Sequence, residues 1–277
     1  MQPIIRPLLL LHPDRELREL LHEVPGQSFR LVEVADWNAL QTALTRSPVT
    51  AISVVDPVMQ NGKPARELQA LLAEFPLATV LAAISPDSLD HSALSTMSSW
   101  GVADFVRLGF EDSVGCLAHR LRQVRSHAVK KLLRRALPSG LSSRAQNLIV
   151  RAADVVSAGG GSTELASSLK VGPRTVPRWC ERADLPPPRR LLAWLRMLIA
   201  SVLLDDPRRS VASVARACGY AGEASLKNTI RDFFGMSPTE LRTQGAFKVV
   251  AHAFASELEG IRDEAQARGR SRNVWLN

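Results

Sequence analysis

The sequence predicts a doubly wound α/β domain with a five-stranded parallel sheet, followed by an all-α domain. In the first 126 residues, five apolar runs of strand length alternate with five segments of helical spacing. These runs are apolar throughout, which is typical of strands covered by helices on both faces. After residue 127 the alternation stops and the segments have helical spacing.

The predicted elements of the front half follow one another in regular order. The strands are residues 4–11, 29–34, 49–55, 78–84 and 103–106. The helices are residues 14–24, 36–45, 65–75, 89–99 and 112–124. Asp14 and Asp36 are suitable N-caps, because a short acidic side chain accepts a hydrogen bond from the free amides of a first helical turn.

Charge divides the chain at the same place. Residues 1–126 hold 11 Lys and Arg against 14 Asp and Glu, a net charge of −3. Residues 127–277 hold 24 against 13, a net charge of +11, and the two sum to the +8 of the whole chain. A sensing or assembly module joined to a polyanion binder is the expected organisation. A basic surface without a specific partner is the alternative.

Two residues mark the ends of predicted strands in the front half. Asp56 ends the third strand in "AISVVDPVM", with Met59 three residues later, and Ser85 ends the fourth strand. With "GVADFVRLGF", these residues resemble the receiver domain of two-component response regulators. The resemblance implies a receiver-like fold for residues 1–126, with Asp56 at the position of the phosphoacceptor.

The sequence departs from the receiver pattern where phosphorylation needs support. His12 and Pro13 replace the acidic pair that binds Mg²⁺ in receivers, and Leu108 replaces the Lys. Phosphoryl transfer needs a cation and a positive charge on the phosphoryl oxygens. We therefore expect a degenerate receiver in which Asp56 caps local amides. Its role is dimerisation first, with a protein partner or a small-molecule effector as the alternatives.

A basic linker, residues 127–160, joins the two halves. Its Lys and Arg residues alternate with apolar residues at helical spacing, so we expect the last receiver helix to run into a connecting helix. "PSG" at 138–140 and "SAGGG" at 157–161 interrupt it. A solvated helix face is the expected role of these charges, and phosphate contact is the alternative.

The basic half then contains two short helix–turn–helix patterns. In the first, Ser162 is the expected N-cap, Val171–Gly172 is the turn and Pro173 opens the second helix. Its inward residues are expected to be Leu165, Ala166, Leu169, Val176, Trp179 and Cys180. Its outward residues are expected to be Arg174, Thr175, Arg178 and Arg182.

The second pattern has the same plan. Ser210 caps its first helix, Gly219 allows the chain to reverse, and Tyr220 fills the space beneath the turn. Its inward residues are expected to be Val211, Val214, Ala215, Leu226, Ile230, Phe233 and Phe234. Its outward residues are expected to be Glu223, Ser225, Lys227, Asn228 and Arg231. Between the two patterns, residues 189–204 predict an apolar helix that holds both.

"SVASVARACGYAGEASLKNTIRDFFGMSPTELR" carries a specific likeness. Residues 162–242 resemble the tandem DNA-binding domain of AraC-type transcription regulators. The resemblance implies a regulator of double-stranded DNA. A rigid helix over residues 189–204 would hold the two reading helices about 34 Å apart, so that they enter successive major grooves. A homodimer is expected because palindromic DNA sites commonly reflect protein two-folds. The resemblance places DNA contacts at Arg174, Thr175, Arg178, Glu223, Ser225, Lys227 and Asn228. Pro177 departs from the pattern, because proline removes an amide from the first reading helix.

The remaining features argue against other classes of protein. Six scattered histidines and three unevenly spaced cysteines predict no catalytic residues, no metal and no cofactor. No apolar run is long enough for a membrane span. Three cysteines cannot pair evenly, so a reducing cytoplasm is expected. A signalling adaptor without sequence-specific DNA binding is the main alternative, and RNA binding is a third reading.

We therefore divide the chain into residues 1–126 (receiver-like), 127–160 (helical linker), 161–245 (tandem helix-turn-helix) and 246–277. In the last segment, Phe247, Ala251, Phe254, Leu258 and Ile261 are expected on one packing face of a helix. Residues 268–277 are expected to form a mobile basic tail.

Overall fold

A computed structural model describes residues 6–24, 29–48, 50–58, 63–85, 91–110, 113–157 and 159–274. The chain forms two compact units, residues 1–128 and 129–277. Parts of some predicted elements, at residues 4–5, 49, 89–90 and 112, lie outside the described residues, as does Met59.

The first unit contains one parallel sheet. Its strands are β1 (Arg6–Leu11), β2 (Phe29–Glu33), β3 (Ile52–Val55), β4 (Thr79–Ile84) and β5 (Asp104–Arg107). Their order is β2-β1-β3-β4-β5, and every neighbouring pair is parallel. This is the flavodoxin-like doubly wound order, whose switch point lies between β1 and β3. The predicted fold class is therefore confirmed.

Five helices cover the sheet. They are α1 (Arg15–Glu23), α2 (Trp37–Arg46), α3 (Arg66–Glu74), α4 (His91–Trp100) and α5 (Val114–Val124). Asp14 accepts a hydrogen bond from the Leu17 amide and Asp36 accepts one from the Ala39 amide, both at 2.8 Å, which confirms both predicted N-caps.

The strands have a buried core on each face. Leu8 and Leu10 of β1 lie in one apolar cluster, whereas Leu9 lies in the other. Because successive side chains of a strand point to opposite faces, an uninterrupted apolar run serves both layers. β3 and β4 are buried along their whole length for the same reason.

The second unit is all-helical. Its helices, together with the one at its border, are α6 (His127–Ala136), α7 (Ser143–Ser157), α8 (Ser162–Ser168), α9 (Thr175–Glu181), α10 (Pro188–Asp205), α11 (Val211–Ala217), α12 (Glu223–Phe234), α13 (Pro238–Thr243) and α14 (Ala246–Val274). Leu191, Leu195 and Leu198 of α10 are almost completely buried. Helices α7, α8, α9, α11, α13 and α14 pack around α10.

Helix boundaries differ from the predictions in two places within the first helix–turn–helix pattern. Gly161, not Ser162, is the N-cap of α8, and its amide donates to the Glu164 carboxylate at 2.8 Å. This bond lowers the pKa of Glu164. Helix α9 begins at Thr175, so Pro173 lies in the preceding turn rather than at the first helical position.

The connecting and C-terminal segments also differ from the predictions. The expected continuous connecting helix is two helices, because α5 ends at Val124 and α6 begins at His127. Helix α14 continues to Val274, so most of the predicted mobile tail is helical. Its buried positions are Ala246, Val250, Phe254 and Leu258, and this i, i+4 stripe only partly coincides with the predicted face. None of the helices in the described ranges combines the length and the apolar character that a membrane crossing requires.

Candidate nucleic-acid interface

The two helix–turn–helix units reverse direction with the same hydrogen bonds. After α8, the Lys170 amide donates to the Ser167 carbonyl and the Val171 amide donates to the Ala166 carbonyl, both at 3.1 Å. After α11, the Gly219 amide donates to Arg216 at 3.1 Å and the Tyr220 amide donates to Ala215 at 2.9 Å. Paired bonds of this kind satisfy the last carbonyls of a helix and require a left-handed residue after it. That residue is Lys170, with φ 55°, in the first helix–turn–helix unit and Gly219, with φ 71°, in the second helix–turn–helix unit.

Helix α9 separates an apolar face from a basic one. Val176 and Cys180 are buried, whereas Arg174 and Arg178 are exposed. Thr175 is half-buried at the start of the helix, and Trp179, expected to face inward, is half-buried. Pro177 is the third residue of α9, so the amide it lacks is one that the first turn leaves unpaired. The departure noted in the sequence therefore removes no hydrogen bond from within the helix.

Helix α12 has the same division of faces. Leu226 and Ile230 are buried, Lys227 and Asn228 are exposed, and Glu223 and Ser225 are half-buried. The Glu223 carboxylate lies 2.6 Å from the Lys227 ammonium, one helical turn away. Two of the predicted contact residues therefore neutralise each other in the free protein. Within the described residues, the side-chain amide of Asn228 forms no hydrogen bond.

An aromatic cluster joins α12 to the central helix. The Trp194 ring of α10 meets the Phe233 ring edge-on, with centroids 4.6 Å apart, and it also contacts Phe254 of α14 at 5.5 Å. The Arg190 guanidinium stacks over Phe233 at 4.8 Å and binds both oxygens of Glu257, at 2.7 and 2.6 Å. Edge-to-face rings and bidentate pairs restrict orientation as well as distance. These contacts therefore position α12 relative to α10.

A second set of contacts secures the end of α10. The Arg242 guanidinium donates to the carbonyl oxygens of Leu204, at 2.6 Å, and Arg209, at 2.7 Å. The Asp205 carboxylate accepts from the amides of Ala246, at 2.6 Å, and Phe247, at 3.0 Å. Asp205 was not among the residues predicted from the sequence. The available signal was that α14 starts after "QG", without a capping side chain of its own.

In the α/β unit, residues 1–128, Asp56 lies at the carboxyl end of β3. Its carboxylate accepts a hydrogen bond from the Val58 amide at 3.0 Å, which is the local capping expected from the sequence. Leu108 packs against one of the two apolar clusters rather than facing Asp56 with a charge. His12, Trp37 and Asp56 line a cleft of about 650 Å³. Over the described ranges, no three His, Cys, Asp or Glu residues are grouped closely enough to hold a metal ion.

His12 is held between two strand ends. Its Nδ1 accepts from the Asp14 amide at 3.1 Å, and its Nε2 donates to the Ala83 carbonyl at 3.2 Å. This pattern requires the neutral ring. Burial lowers the pKa of His12, and the nearby Asp56 and Asp14 carboxylates oppose that shift only in part. The residue that replaces an acidic Mg²⁺ ligand is therefore a neutral structural bridge.

The three cysteines are free thiols in different surroundings. Cys116 is exposed on α5. Burial raises the pKa of Cys180 to about 11 and that of Cys218 to about 12. These two thiols stay protonated at neutral pH and are poor nucleophiles.

Comparison with known families finds a match within the all-helical unit, residues 129–277. Residues 165–244 match the family model described as "Helix-turn-helix domain". A search of curated proteins finds no similar sequence.

Solved structures show weaker likenesses. A DNA-binding transcriptional dual regulator from Escherichia coli K-12 is 22% identical over 37% of this chain and 98% of that chain, with a TM-score of 0.33. Full-length FixJ from B. japonicum is 16% identical over 81% and 95% of the two chains, with a TM-score of 0.31. The RcsB response regulator of Salmonella typhimurium is 14% identical over 69% and 98%, with a TM-score of 0.34.

These TM-scores are too low to support an argument, so the fold of the first unit rests on its strand order. The family match coincides with the two helix–turn–helix units and the central helix between them. Residues 165–244 therefore form a helix-turn-helix domain of the AraC type, joined to an N-terminal receiver-like α/β domain.

Proposed function

We propose that the protein is a sequence-specific, DNA-binding transcription regulator whose helices α9 and α12 read two successive major grooves. The observation that carries the proposal is the repeated geometry of the two units. Each places a helix after a matching turn, buries one face of that helix and leaves hydrogen-bonding side chains exposed on the other. A helix held in this way fits the width of a major groove.

The exposed side chains suit base recognition. Arg174 and Arg178 can each donate two hydrogen bonds to the O6 and N7 atoms of guanine, and Asn228 can pair with adenine. Thr175 and Ser225 add short hydroxyls at the starts of the reading helices. Glu223 and Lys227 form an ion pair in the free protein, and its opening would allow Lys227 to reach a phosphate.

Helix α10 supports the spacing that two grooves require. Its 18 residues extend about 27 Å at 1.5 Å per residue. One turn of duplex is about 34 Å, so a rod of this length is of the right scale for holding two reading helices apart. The contacts of Trp194, Arg190 and Arg242 stiffen that rod.

For the receiver-like unit, we propose dimerisation or the sensing of a protein or small-molecule effector, without phosphorylation of Asp56. Pro13 and Leu108 lack the ligand atom and the positive charge that the phosphoryl reaction uses. We place the domain boundaries at residues 126, 160 and 245. We also propose a homodimer, and a reducing cytoplasm, with which free thiols at all three cysteines are compatible.

The test is selection of bound duplexes from a random library with the intact protein, followed by binding at two salt concentrations with competitor DNA. We expect one preferred sequence, and affinity that falls steeply with salt because bound phosphates release counterions. Failure to enrich any sequence at either salt concentration would favour the signalling adaptor.

Asn228→Ala tests the reading face directly. The variant should lose about 1–3 kcal/mol of discrimination at one base position, because a good bidentate contact contributes that much. Its circular dichroism should match that of the unaltered protein. Selection of the same sequence with the same stringency would remove Asn228 from the reading face.

A further inference from the structure

A basic groove lies between α7 and the first helix–turn–helix unit. Arg144, Asn147 and Arg151 line it from α7, and Trp179 and Arg182 line it from α9 and the residue that follows. Its volume is about 780 Å³. Helix α7 lies in the predicted linker, for whose charges a solvated helix face was expected and phosphate contact was the alternative.

The groove is cationic and its charges are not neutralised. Arg144, Arg151 and Arg182 are exposed, and no acidic residue is among those that line it. Across the described ranges, none of these three guanidiniums forms an ion pair or a hydrogen bond with the protein. Three unpaired guanidiniums at one place repel one another unless an anion lies among them. Guanidinium groups are well suited to phosphate, because their donors match its oxygens in pairs.

The cationic side chains on each wall of the groove follow the axis of a helix. Arg144, Asn147 and Arg151 are spaced i, i+3 and i+7, so they share one face of α7 over about 10 Å. Arg174, Arg178 and Arg182 follow one another at intervals of four along α9, so the groove continues the face that we propose for base reading. An extended anion that leaves this face therefore meets α7 next.

We propose that this groove binds the phosphodiester backbone of the DNA flanking the groove read by α9. The inference rests on the proposed function, and it adds a sequence-independent contact from a helix outside residues 165–244. Duplex DNA carries one negative charge per about 1.7 Å of its axis, so a strip about 10 Å long faces several phosphates. The half-buried Trp179 ring supplies an apolar surface for the sugar between them.

The test compares the double variant Arg144→Gln/Arg151→Gln with the unaltered protein on the selected duplex and on an unrelated duplex. We expect both affinities to fall by the same factor, with an unchanged preferred sequence. The slope of log affinity against log salt should become shallower by about 1.8, because each phosphate contact contributes about 0.9. Arg189→Gln/Lys248→Gln is the matched control, since both residues are exposed cations that do not line the groove.

A trimmed duplex locates the contact. Removal of the base pairs beyond the α9 site should weaken the unaltered protein and leave the affinity of the groove variant unchanged. An equal loss of salt slope in the control variant would mean that net charge alone acts, and would overturn the groove. A groove variant with the same affinity and the same salt slope as the unaltered protein would also overturn the groove proposal. In that case, sequence-specific binding by the unaltered protein would still support the proposed function. Absence of salt-dependent binding by the unaltered protein would refute both.

Discussion

At two equivalent turns, a single residue with positive φ allows the chain to enter the second helix of a helix–turn–helix unit. Gly219 adopts this conformation at little steric cost because it has no Cβ atom. Lys170 adopts it with a Cβ atom, and for a non-glycine residue the left-handed region costs roughly 1–2 kcal/mol. The two units are therefore built alike but are strained differently.

Substitutions at these two turns should have unequal effects. Gly219→Val should lower the free energy of unfolding of the all-helical unit, residues 129–277, by roughly 1–3 kcal/mol, because a β-branched residue is a severe outlier at positive φ. Lys170→Gly should stay within about 1 kcal/mol of the unaltered protein, since relief of strain is offset by greater entropy of the unfolded chain. Urea titration followed by circular dichroism measures both. An unchanged midpoint for Gly219→Val would contradict the turn geometry.

His12 makes stability depend on pH. Burial lowers its pKa in the folded protein below the ordinary value of about 6.5, so near and below that pH the unfolded chain binds more protons than the folded one. Stability from this residue is therefore full above about pH 6.5 and falls as the pH drops below it. His12→Asn should lose less stability than the unaltered protein between pH 8 and pH 5 in urea titrations. Equal losses would mean that His12 is not the neutral bridge described above.

At the scale of elements, α10 is the part to which the other helices of the second unit are attached. Its apolar residues were expected to pack between the two helix–turn–helix motifs, and α10 does contact helices of both. The polar contacts at its end are of equal interest, because Arg242 satisfies the Leu204 carbonyl near the helix terminus and Asp205 caps α14. A helix end left without such partners is costly to bury.

Arg242→Met should destabilise the second unit by about 2 kcal/mol. The substitution keeps much of the apolar stem but leaves the Leu204 and Arg209 carbonyls without their charged donor. Arg216→Met is the control, because the exposed Arg216 side chain forms no hydrogen bond with the described residues, and its effect should stay within about 0.5 kcal/mol. Equal unfolding midpoints for the two variants would show that the Arg242 bonds do not stabilise the fold.

At the scale of the molecule, the chain joins a weakly acidic unit to a strongly basic one. The basic unit carries the helix-turn-helix domain, and exposed arginines without an ion pair among the described residues are present on α7 as well as on α9. The receiver-like unit has the sheet of its fold class, while His12 donates a hydrogen bond to Ala83 and Leu108 packs against an apolar cluster. We propose that regulation through this unit uses chemistry other than phosphate on Asp56.

Asp56→Asn tests that conclusion. The variant should retain the affinity for the selected duplex and the oligomeric mass of the unaltered protein, because an Asn side-chain oxygen can still accept from the Val58 amide. Treatment of the unaltered protein with acetyl phosphate should also leave both quantities, and the intact mass, unchanged. Light scattering, mass spectrometry and duplex titration provide the measurements. A phosphorylated species with altered DNA affinity would restore the phosphorylation switch.

The local elements were largely predictable from the sequence. Uninterrupted apolar runs indicated a sheet covered on both faces, and Asp14 and Asp36 marked helix starts through hydrogen bonds made within three residues. Errors occurred where local signals competed. Ser162 resembles a cap, yet the Glu164 carboxylate reaches back to the Gly161 amide and moves the helix start by one residue. Pro173 resembles a first helical residue, yet α9 begins two residues later.

The fold class, the two helix–turn–helix patterns and the basic charge of residues 127–277 follow from the sequence alone, because each depends on residue types at short spacing. The capping of α14 by Asp205, 41 residues before the helix starts, depends instead on how the helices pack. The tertiary structure also shows that Arg144 and Arg151 of α7 share a groove with Arg182, and that Lys227 is paired with Glu223. These arrangements depend on which surfaces meet when helices pack around α10, and residues far apart in the chain carry no periodic signal of that meeting.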